Sequence, residues 1–274
     1  QLHFNTNYSN LSDLSDKINM SGAKDVEKQL RSVVTDATKK LNLSKFTIDL
    51  NLNALKGDGF LGEFYKVSVK DDESNSTYYL AIKKAPVVKK WREENSIDMV
   101  YQNEIFFYSE IVPAFRQFEQ EQHVSKPFDS IARYFTSSSQ IGSEIIVFED
   151  ITKKGYILRE KDLLLDDEHA KLIFKTYGHY HALSFCLKNK KPEEFARLTT
   201  PLHPIWKNFG EKEGFLIFLK ACLKDTQDAL KPDEDGVVLE KFRKYVDNSK
   251  EIFLESCDYK GQYSGILHGD CWSN

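Results

Sequence analysis

The period of the hydrophobic pattern changes along the chain, and this change restricts the fold more than any other feature. From Phe46 to Lys84, apolar residues alternate with polar ones, as in strands that bury one face. From Asp166 to Cys257, apolar residues recur at steps of three and four, as in helices that pack on one side. A β-rich first part and a helical second part predict an α+β fold with two lobes and a cleft between them.

The first part predicts an antiparallel sheet with a helix on its outside. Strands predicted at about 46–52, 64–70 and 78–84 follow one another through short turns, as in a meander. A helix predicted at Ala23–Leu41 precedes them. The predicted domain limits are 1–45 for an N-terminal arm and helix, 46–148 for the sheet lobe, and 149–274 for a hinge and a partial helical lobe.

The turn between the first two strands carries three glycines, Gly57, Gly59 and Gly62. Because glycine has no Cβ, backbone N–H groups in such a turn can approach phosphate oxygens closely. A plain hairpin turn explains the same residues, so the turn alone leaves both interpretations open.

The third strand carries a lysine, which is a candidate ligand for the same phosphates. Ala81 and Lys83 share one face, and Leu80 and Ile82 share the other. A small Ala beside a Lys leaves room for a flat ring next to a positive charge, which suits adenine and its phosphates. Two alternatives remain: a strand-end Lys that reaches water, and Lys84 as the phosphate ligand, although Lys84 points to the opposite face.

A helix is predicted at Ile97–Ile111, with Pro113 closing it. Glu104 lies on its inward side, where an unpaired carboxylate is costly. We therefore expect a cationic partner for Glu104 and name Lys83 as the candidate. A solvated Glu104 at the edge of the apolar stripe is the alternative.

A buried strand predicted at Glu144–Phe148 ends in Glu149, Asp150 and Ile151. This arrangement suits a hinge between two lobes, where the backbone meets the edge of an adenine. The alternative for Glu149 and Asp150 is a turn or helix cap.

Three helical tracts are predicted in the second part, at Asp166–Lys190, Glu213–Leu230 and Val237–Cys257. The first tract has a predicted core-facing stripe formed by Ala170, Phe174, Tyr177, His181 and Phe185. We expect His181 to be a hydrogen-bonded core histidine, because His179 and His181 lack the spacing of a metal-binding pair on a helix.

The stretch His268-Gly269-Asp270 carries most of the functional information. It follows Ile266-Leu267, which predicts a buried strand that ends in a loop with an outward carboxylate. Phosphotransferases use an Asp in such a loop to accept the proton of the attacking hydroxyl. In that pattern a metal-binding Asn lies five residues after the Asp, and the sequence ends at Asn274, one residue earlier. We therefore expect the chain to be a piece of a longer protein, trimmed at both ends.

Composition excludes several classes of protein. The net charge of −4 gives no strong basic field for nucleic acid or an anionic membrane, and no run approaches the roughly 18 apolar residues of a membrane helix. Residues 1–20 lack the apolar block of a signal peptide. The four cysteines have no Cys-x-x-Cys spacing, so we predict reduced, mostly buried thiols in a cytoplasmic protein. The oligomeric state is left open.

The order of these elements resembles the kinase-like phosphotransferases: a Gly-rich turn, Ala81-x-Lys83, a helix with Glu104, a hinge and His-x-Asp. Gly269 stands where protein kinases usually carry Arg, which is similar to the aminoglycoside and choline kinase branch. Five motifs resemble the ecdysteroid kinase-like family, also called CHK kinase-like and abundant in insects: Lys83–Pro86, Asn103–Tyr108 with Ile111–Pro113, Phe148–Ile151, His181–Ser184 and His268–Trp272.

This resemblance implies a bilobal protein kinase-like fold and ATP- and Mg2+-dependent phosphorylation of a hydroxyl on a small molecule, such as an ecdysteroid or a xenobiotic. It implies the following roles: Gly57, Gly59 and Gly62 cover the phosphates; Ala81 and Lys83 contact ATP; Glu104 orients Lys83; Phe148, Glu149, Asp150 and Ile151 receive adenine; Asp270 is the catalytic base; and His268 braces its loop.

The resemblance leaves the metal ligands unassigned, because the expected ligands would follow Asn274. We therefore expect this 274-residue piece to bind metal-nucleotide poorly and to be inactive by itself. A non-catalytic binding or scaffold protein with the same fold is the alternative. A protein kinase ranks lower because of Gly269.

Overall fold

The computed structural model describes residues 20–52, 61–159 and 165–271. The chain divides into two compact units, Gln1–Pro86 with Ile131–Ile157, and Val87–Ser130 with Leu158–Asn274. The first unit contains an antiparallel sheet and the second is helical, so the predicted α+β, kinase-like class is confirmed. The predicted domain limits placed residues 97–111 with the sheet, whereas the chain division groups them with the helices; those limits stay a prediction.

A long helix and five antiparallel strands form the first unit. Helix α1 is Met20–Lys40, and the strands are β1 Phe46–Leu50, β2 Glu63–Asp71, β3 Thr77–Lys84, β4 Tyr134–Ser138 and β5 Ile145–Glu149. The strand order is β1-β2-β3-β5-β4. A 3-10 turn, Ile151–Lys154, follows β5. The meander and the preceding helix predicted from the sequence are confirmed.

The core of this unit lies between α1 and one face of the sheet. The buried side chains are the odd-numbered residues of β2 and the even-numbered residues of β3, as the alternating pattern predicts. They pack with a stripe on α1; the members are Leu30, Val33, Val34, Ala37, Tyr65, Val67, Val69, Leu80 and Ile82. Burying each large aliphatic side chain contributes about 1.5–3 kcal/mol. A shift of β2 or β3 by one residue would turn these side chains to the other face, so their burial fixes the register of the strands.

The second unit is built from helices. Their bounds are α2 Lys89–Glu94, α3 Ile97–Phe106, α4 Val112–Glu121, α5 Asp167–Lys190, α6 Pro192–Thr199, α7 Ile205–Gly210, α8 Glu213–Ala229, α9 Pro232–Asp247 and α10 Ser249–Asp258. Its core contains Ile111, Phe115, Phe118, Tyr180, Leu183, Leu187, Leu198 and Ile266. Across the three described ranges of the chain, no helix has the length and apolar character needed to cross a bilayer.

The helix that carries Glu104 does not end at Pro113, so that prediction is wrong. A π-helical turn, Phe107–Ile111, connects α3 to α4, and Pro113 lies in the first turn of α4. The N–H of Val112 donates to the carbonyl of Phe107, five residues back. The wider turn shifts the hydrogen-bond register just before the proline, whose missing N–H is tolerated in a first turn.

The predicted stripe of α5 is also wrong. Phe174 is 75% exposed and Phe185 is exposed, whereas Tyr180, Leu183, Ser184 and Leu187 are buried. Two apolar stripes with helical spacing exist on this helix. The buried stripe is the one that meets aromatic side chains of α4, a contact that periodicity within α5 does not reveal.

Two smaller predictions need correction. The tract predicted at Val237–Cys257 is two helices, α9 and α10, that meet at Asn248. The four cysteines are free thiols, but Cys186 and Cys271 are exposed, so the expectation that most are buried is wrong.

Candidate functional site

The sheet has a second face, opposite its core, which carries the predicted nucleotide-binding side chains. Ala81 on β3 lies opposite Lys66 on β2 and Phe148 on β5, and Lys83 lies opposite Phe64 and Ile146. We call this set of residues the Ala81 face. The small Ala therefore lies between a cation and an aromatic ring on this face. Gly62 immediately precedes β2, while Gly57 and Gly59 lie outside the described residues.

The two adjacent lysines of β3 have different environments. Lys84 is only 2% exposed, and it lies on the core face with Leu80 and Ile82. Its ammonium group is 3.7 Å from the Glu63 carboxylate and donates to the Ala85 carbonyl at 3.5 Å. Lys83 is half-buried on the Ala81 face. The burial of Lys84 in the core favours Lys83 as the lysine that meets a ligand.

Lys66 is a cation of the Ala81 face that the sequence reasoning missed. Its ammonium group donates to the Thr152 hydroxyl at 3.0 Å and lies 3.5 Å from the Asp150 carboxylate. The alternation in β2 places Lys66 away from the core, but only the strand register reveals that it faces Ala81. This second positive charge beside Ala81 adds to the suitability of the face for a phosphate-bearing ligand.

Asp150 has a structural role that the sequence analysis named as the alternative. It is buried, and its carboxylate accepts the N–H of Thr152 at 3.1 Å and the Thr152 hydroxyl at 2.6 Å, which caps the 3-10 turn. The N–H groups of Glu149 and Asp150 donate to the carbonyls of Arg133 and Tyr79, at 2.8 and 2.9 Å. Adenine recognition through these two N–H groups would have to replace bonds that hold the sheet together.

In the second unit, Glu104 is half-buried on α3, one turn from Tyr108 in the π-helical segment. Burial, followed by the negative charge of Glu104, raises the pKa of Tyr108 to about 12. Burial also raises the pKa of Tyr180 well above its usual value. The predicted ion pair between Lys83 and Glu104 joins residues of different units and stays a prediction.

The raised pKa of Tyr108 gives a testable dependence of stability on pH. The unfolded phenol loses its proton near pH 10 while the folded one keeps it to about pH 12, so the stabilisation is complete below pH 10 and is lost as pH rises toward 12. Between pH 9 and pH 11, we expect the free energy of unfolding to fall by about 1 kcal/mol more in wild type than in Tyr108→Phe. Urea unfolding at both pH values measures this difference, and equal slopes for the two proteins would contradict it.

The segment that leads to Asp270 is not the buried strand predicted from the sequence. Residues 264–271 adopt neither helix nor strand, Ile266 is buried, and Leu267 is 64% exposed. The N–H of Ile266 is bound by a side chain, the Ser184 hydroxyl, at 2.7 Å. Of the pair Ile266 and Leu267, only Ile266 is buried. The segment is therefore held by this one residue and not by strand pairing.

The loop that follows presents Asp270 at the surface. The N–H of Asp270 donates to Nδ1 of His268 at 3.2 Å, so a neutral His268 carries its proton on Nε2. Gly269 has φ +81°, in the left-handed region that favours glycine, and a Cβ there would lie 2.8 Å from Nε1 of Trp206. A larger residue such as Arg would have a strained backbone at this φ, and its Cβ would clash with the side chain of Trp206.

Tyr177 on α5 belongs to the surroundings of this loop, although the sequence analysis assigned it to the core. Its ring lies 6.1 Å from His181 in a stacked geometry and 6.3 Å from His268 in an edge geometry. Burial, then a hydrogen bond to Cys271 and the charge of Asp270, raise the pKa of Tyr177 to about 12. Tyr177 is therefore a neutral hydroxyl beside Asp270 at physiological pH.

The described residues do not provide a complete metal site. In the three ranges that the structure covers, no group of three or more His, Cys, Asp and Glu side chains could hold a metal ion. Trp272, Ser273 and Asn274, which follow the loop, lie outside the described residues. We therefore assign no residue as a ligand of Mg2+.

A family model described as the ecdysteroid kinase-like family matches residues 56–274, which is most of the chain. The chain belongs to the ecdysteroid kinase-like family. Every site residue predicted from the sequence, from Gly57 to Asp270, lies inside the matched range of this EcKL protein. Comparisons with curated proteins and with solved structures gave no match. Membership in the EcKL family indicates a kinase-like phosphotransferase that acts on small molecules.

Proposed function

We propose that this EcKL protein transfers the γ-phosphate of ATP to a hydroxyl group of a small molecule, such as an ecdysteroid or a xenobiotic. The observation that carries the proposal is the loop at Ile266–Asp270. There, a glycine with positive φ and the bond from the Asp270 N–H to His268 hold the backbone that carries the exposed Asp270 carboxylate. A carboxylate fixed at the surface can accept the proton of an incoming hydroxyl group as that group attacks a phosphate.

Asp270 and His268 have the catalytic roles in this proposal. Asp270 accepts the acceptor's proton and orients its oxygen for in-line attack. His268 holds the loop through its Nδ1 atom. Tyr177 keeps its proton, so it does not compete with Asp270 as a base.

The Ala81 face supplies the proposed ATP contacts. Lys83 binds the phosphates and Ala81 leaves space for the nucleotide, as their positions on β3 support. Gly57, Gly59 and Gly62 cover the phosphates, and Glu104 orients Lys83. Phe148, Glu149, Asp150 and Ile151 receive adenine through contacts other than the N–H groups of Glu149 and Asp150, which bind carbonyls of the sheet unit. Phe148 faces Ala81 across the strands, so its ring is the best supported of these contacts.

ATP is proposed to bind with Mg2+, which neutralises phosphate charge during transfer. Among the described residues no group of side chains could hold a metal ion, so no ligand of Mg2+ is named among them.

We also propose that the protein acts in the cytoplasm, without nucleic acid or membrane as its partner. The four free cysteines support this, because stable thiols are typical of a reducing compartment. The net charge of −4 gives no overall attraction to nucleic acid.

Incubation of the full-length protein with Mg-ATP and a panel of acceptors tests the function. The panel contains 20-hydroxyecdysone, glycosides and phenols, and mass spectrometry detects a phosphate added to an acceptor. We expect one or more phosphorylated products and calorimetric binding of Mg-ATP. Binding of Mg-ATP without any product would favour a non-catalytic scaffold, and the absence of both would exclude the proposal.

A substitution at Gly269 tests whether the loop geometry matters. Alanine at φ +81° is strained, so we expect Gly269→Ala to lower the free energy of unfolding by about 1–2 kcal/mol and kcat by about tenfold or more. Gly178→Ala is the control, because Gly178 lies inside α5 with nothing within 4 Å of a Cβ. The control should raise stability by about 0.5–1 kcal/mol and leave kcat unchanged. Full activity of Gly269→Ala would contradict the role given to the loop.

A further inference from the structure

Helix α5 holds the chain that leads into the Asp270 loop at two points. The ammonium group of Lys188 donates to the carbonyls of Gly261 and Ser264, at 2.9 and 3.0 Å, and to the Ser264 hydroxyl at 2.7 Å. One helical turn earlier, the Ser184 hydroxyl accepts the N–H of Ile266 at 2.7 Å. Residues four apart lie on one face of a helix, so both contacts come from the same side of α5.

The Ser184 contact is shielded from water. Ser184 is 1% exposed and Ile266 is 4% exposed. The segment around Ile266 has no ladder of backbone hydrogen bonds, since residues 264–271 adopt neither helix nor strand. The Ser184 oxygen therefore satisfies a buried N–H that would otherwise be left without a partner.

Gly265 provides an independent sign that the chain must pass close to this hydroxyl. A Cβ at Gly265 would lie 3.1 Å from Oγ of Ser184 and 3.4 Å from Cε1 of Phe185. The contact to Ser184 is tighter than a side chain normally makes, so a glycine permits the approach and the serine fixes it.

We propose that Ser184 is a positioning residue for phosphoryl transfer. Through the buried bond to Ile266 it sets where the loop begins, and Asp270 follows four residues later. This inference rests on the proposed function, because it gives Ser184 a role in placing the base. A displacement of about 1 Å in a reacting group can cost about 100-fold in rate.

The first test is Ser184→Ala in the full-length protein. We expect kcat to fall about 10- to 100-fold while the Kd of Mg-ATP measured by calorimetry stays the same. Hydrogen exchange in the peptide that covers 262–271 should become faster, because the Ile266 amide loses its acceptor. Thr38→Val is the matched control, since Thr38 is a buried hydroxyl of the other unit that donates to the Thr35 carbonyl. It also removes the hydrogen bond of a buried hydroxyl, and it should keep the wild-type kcat.

The second test uses Gly265→Ala, which also keeps the proposal testable if Ser184→Ala fails to fold. The added Cβ presses on Ser184, so we expect kcat to fall about tenfold. In the double variant the Ser184 oxygen is absent, and the two effects should not add. An unchanged kcat in Ser184→Ala, unchanged exchange at 262–271, or additive effects would each overturn the proposal.

The proposed function and the role of Ser184 fail in different ways. If wild type phosphorylates no acceptor, the proposed function fails and the positioning role of Ser184 fails with it, whatever the exchange data show. If wild type is active and Ser184→Ala keeps its kcat, only the positioning role fails.

Discussion

Replacement of Asp270 by asparagine is expected to lower kcat by about 10²- to 10⁴-fold, the usual contribution of a general base. The amide keeps the size of the side chain, but it cannot accept the proton of the acceptor hydroxyl. Because the ATP contacts are proposed on the Ala81 face, the Kd of Mg-ATP should stay close to that of wild type. Initial rates with the best acceptor from the panel, together with calorimetry, measure both quantities.

Asp228→Asn is the matched control for this change. Asp228 is an exposed aspartate of the same unit, on α8, and its ion pair with Lys224 is a surface contact that contributes little to stability. The control should keep the wild-type kcat. If Asp270→Asn were as active as Asp228→Asn, the proton acceptor would have to be another group.

The second large effect separates the two adjacent lysines of β3. Lys83→Met should lower kcat/KM for ATP by about 10²- to 10³-fold, because it removes a charge that stabilises the phosphates. Lys84→Met should keep kcat/KM within about threefold of wild type. The same change at neighbouring positions thus tests which face of the strand binds ATP.

Stability should separate the same two variants. Lys84 is a buried ammonium whose carboxylate partner, Glu63, has a 44% exposed side chain that water can solvate after the change. We therefore expect Lys84→Met to keep the free energy of unfolding or to raise it by about 1 kcal/mol. Loss of activity in Lys84→Met with an intact fold would reverse the assignment of the two lysines.

The sequence predicted the first unit well because its strands bury one face. Alternation in β2 and β3 decides which side chains enter the core, and Tyr65, Val67, Leu80 and Ile82 occupy the core face as predicted. The same argument placed Lys84 opposite Lys83. Periodicity was less informative for α5, where two apolar stripes compete and only the contact with α4 selects Tyr180 and its neighbours.

Candidate site residues could be proposed from the sequence only where they lie in local motifs. His268 and Asp270 lie two residues apart in one loop, where the N–H of Asp270 donates to Nδ1 of His268; their roles in catalysis stay predictions. Contacts between distant segments carry no such local signal. Lys66 with Asp150, and Ser184 with Ile266, are separated by more than 80 residues and depend on strand register or helix packing.

Single-turnover transfer from radiolabelled ATP, with the full-length protein in excess and the reaction quenched at short times, tests directly whether Asp270 is the catalytic base. This measurement reports the chemical step and excludes product release. We expect Asp270→Asn to bind ATP as wild type does and to form labelled acceptor at least about 100-fold more slowly. Equal rates of product formation in the two proteins would contradict this expectation.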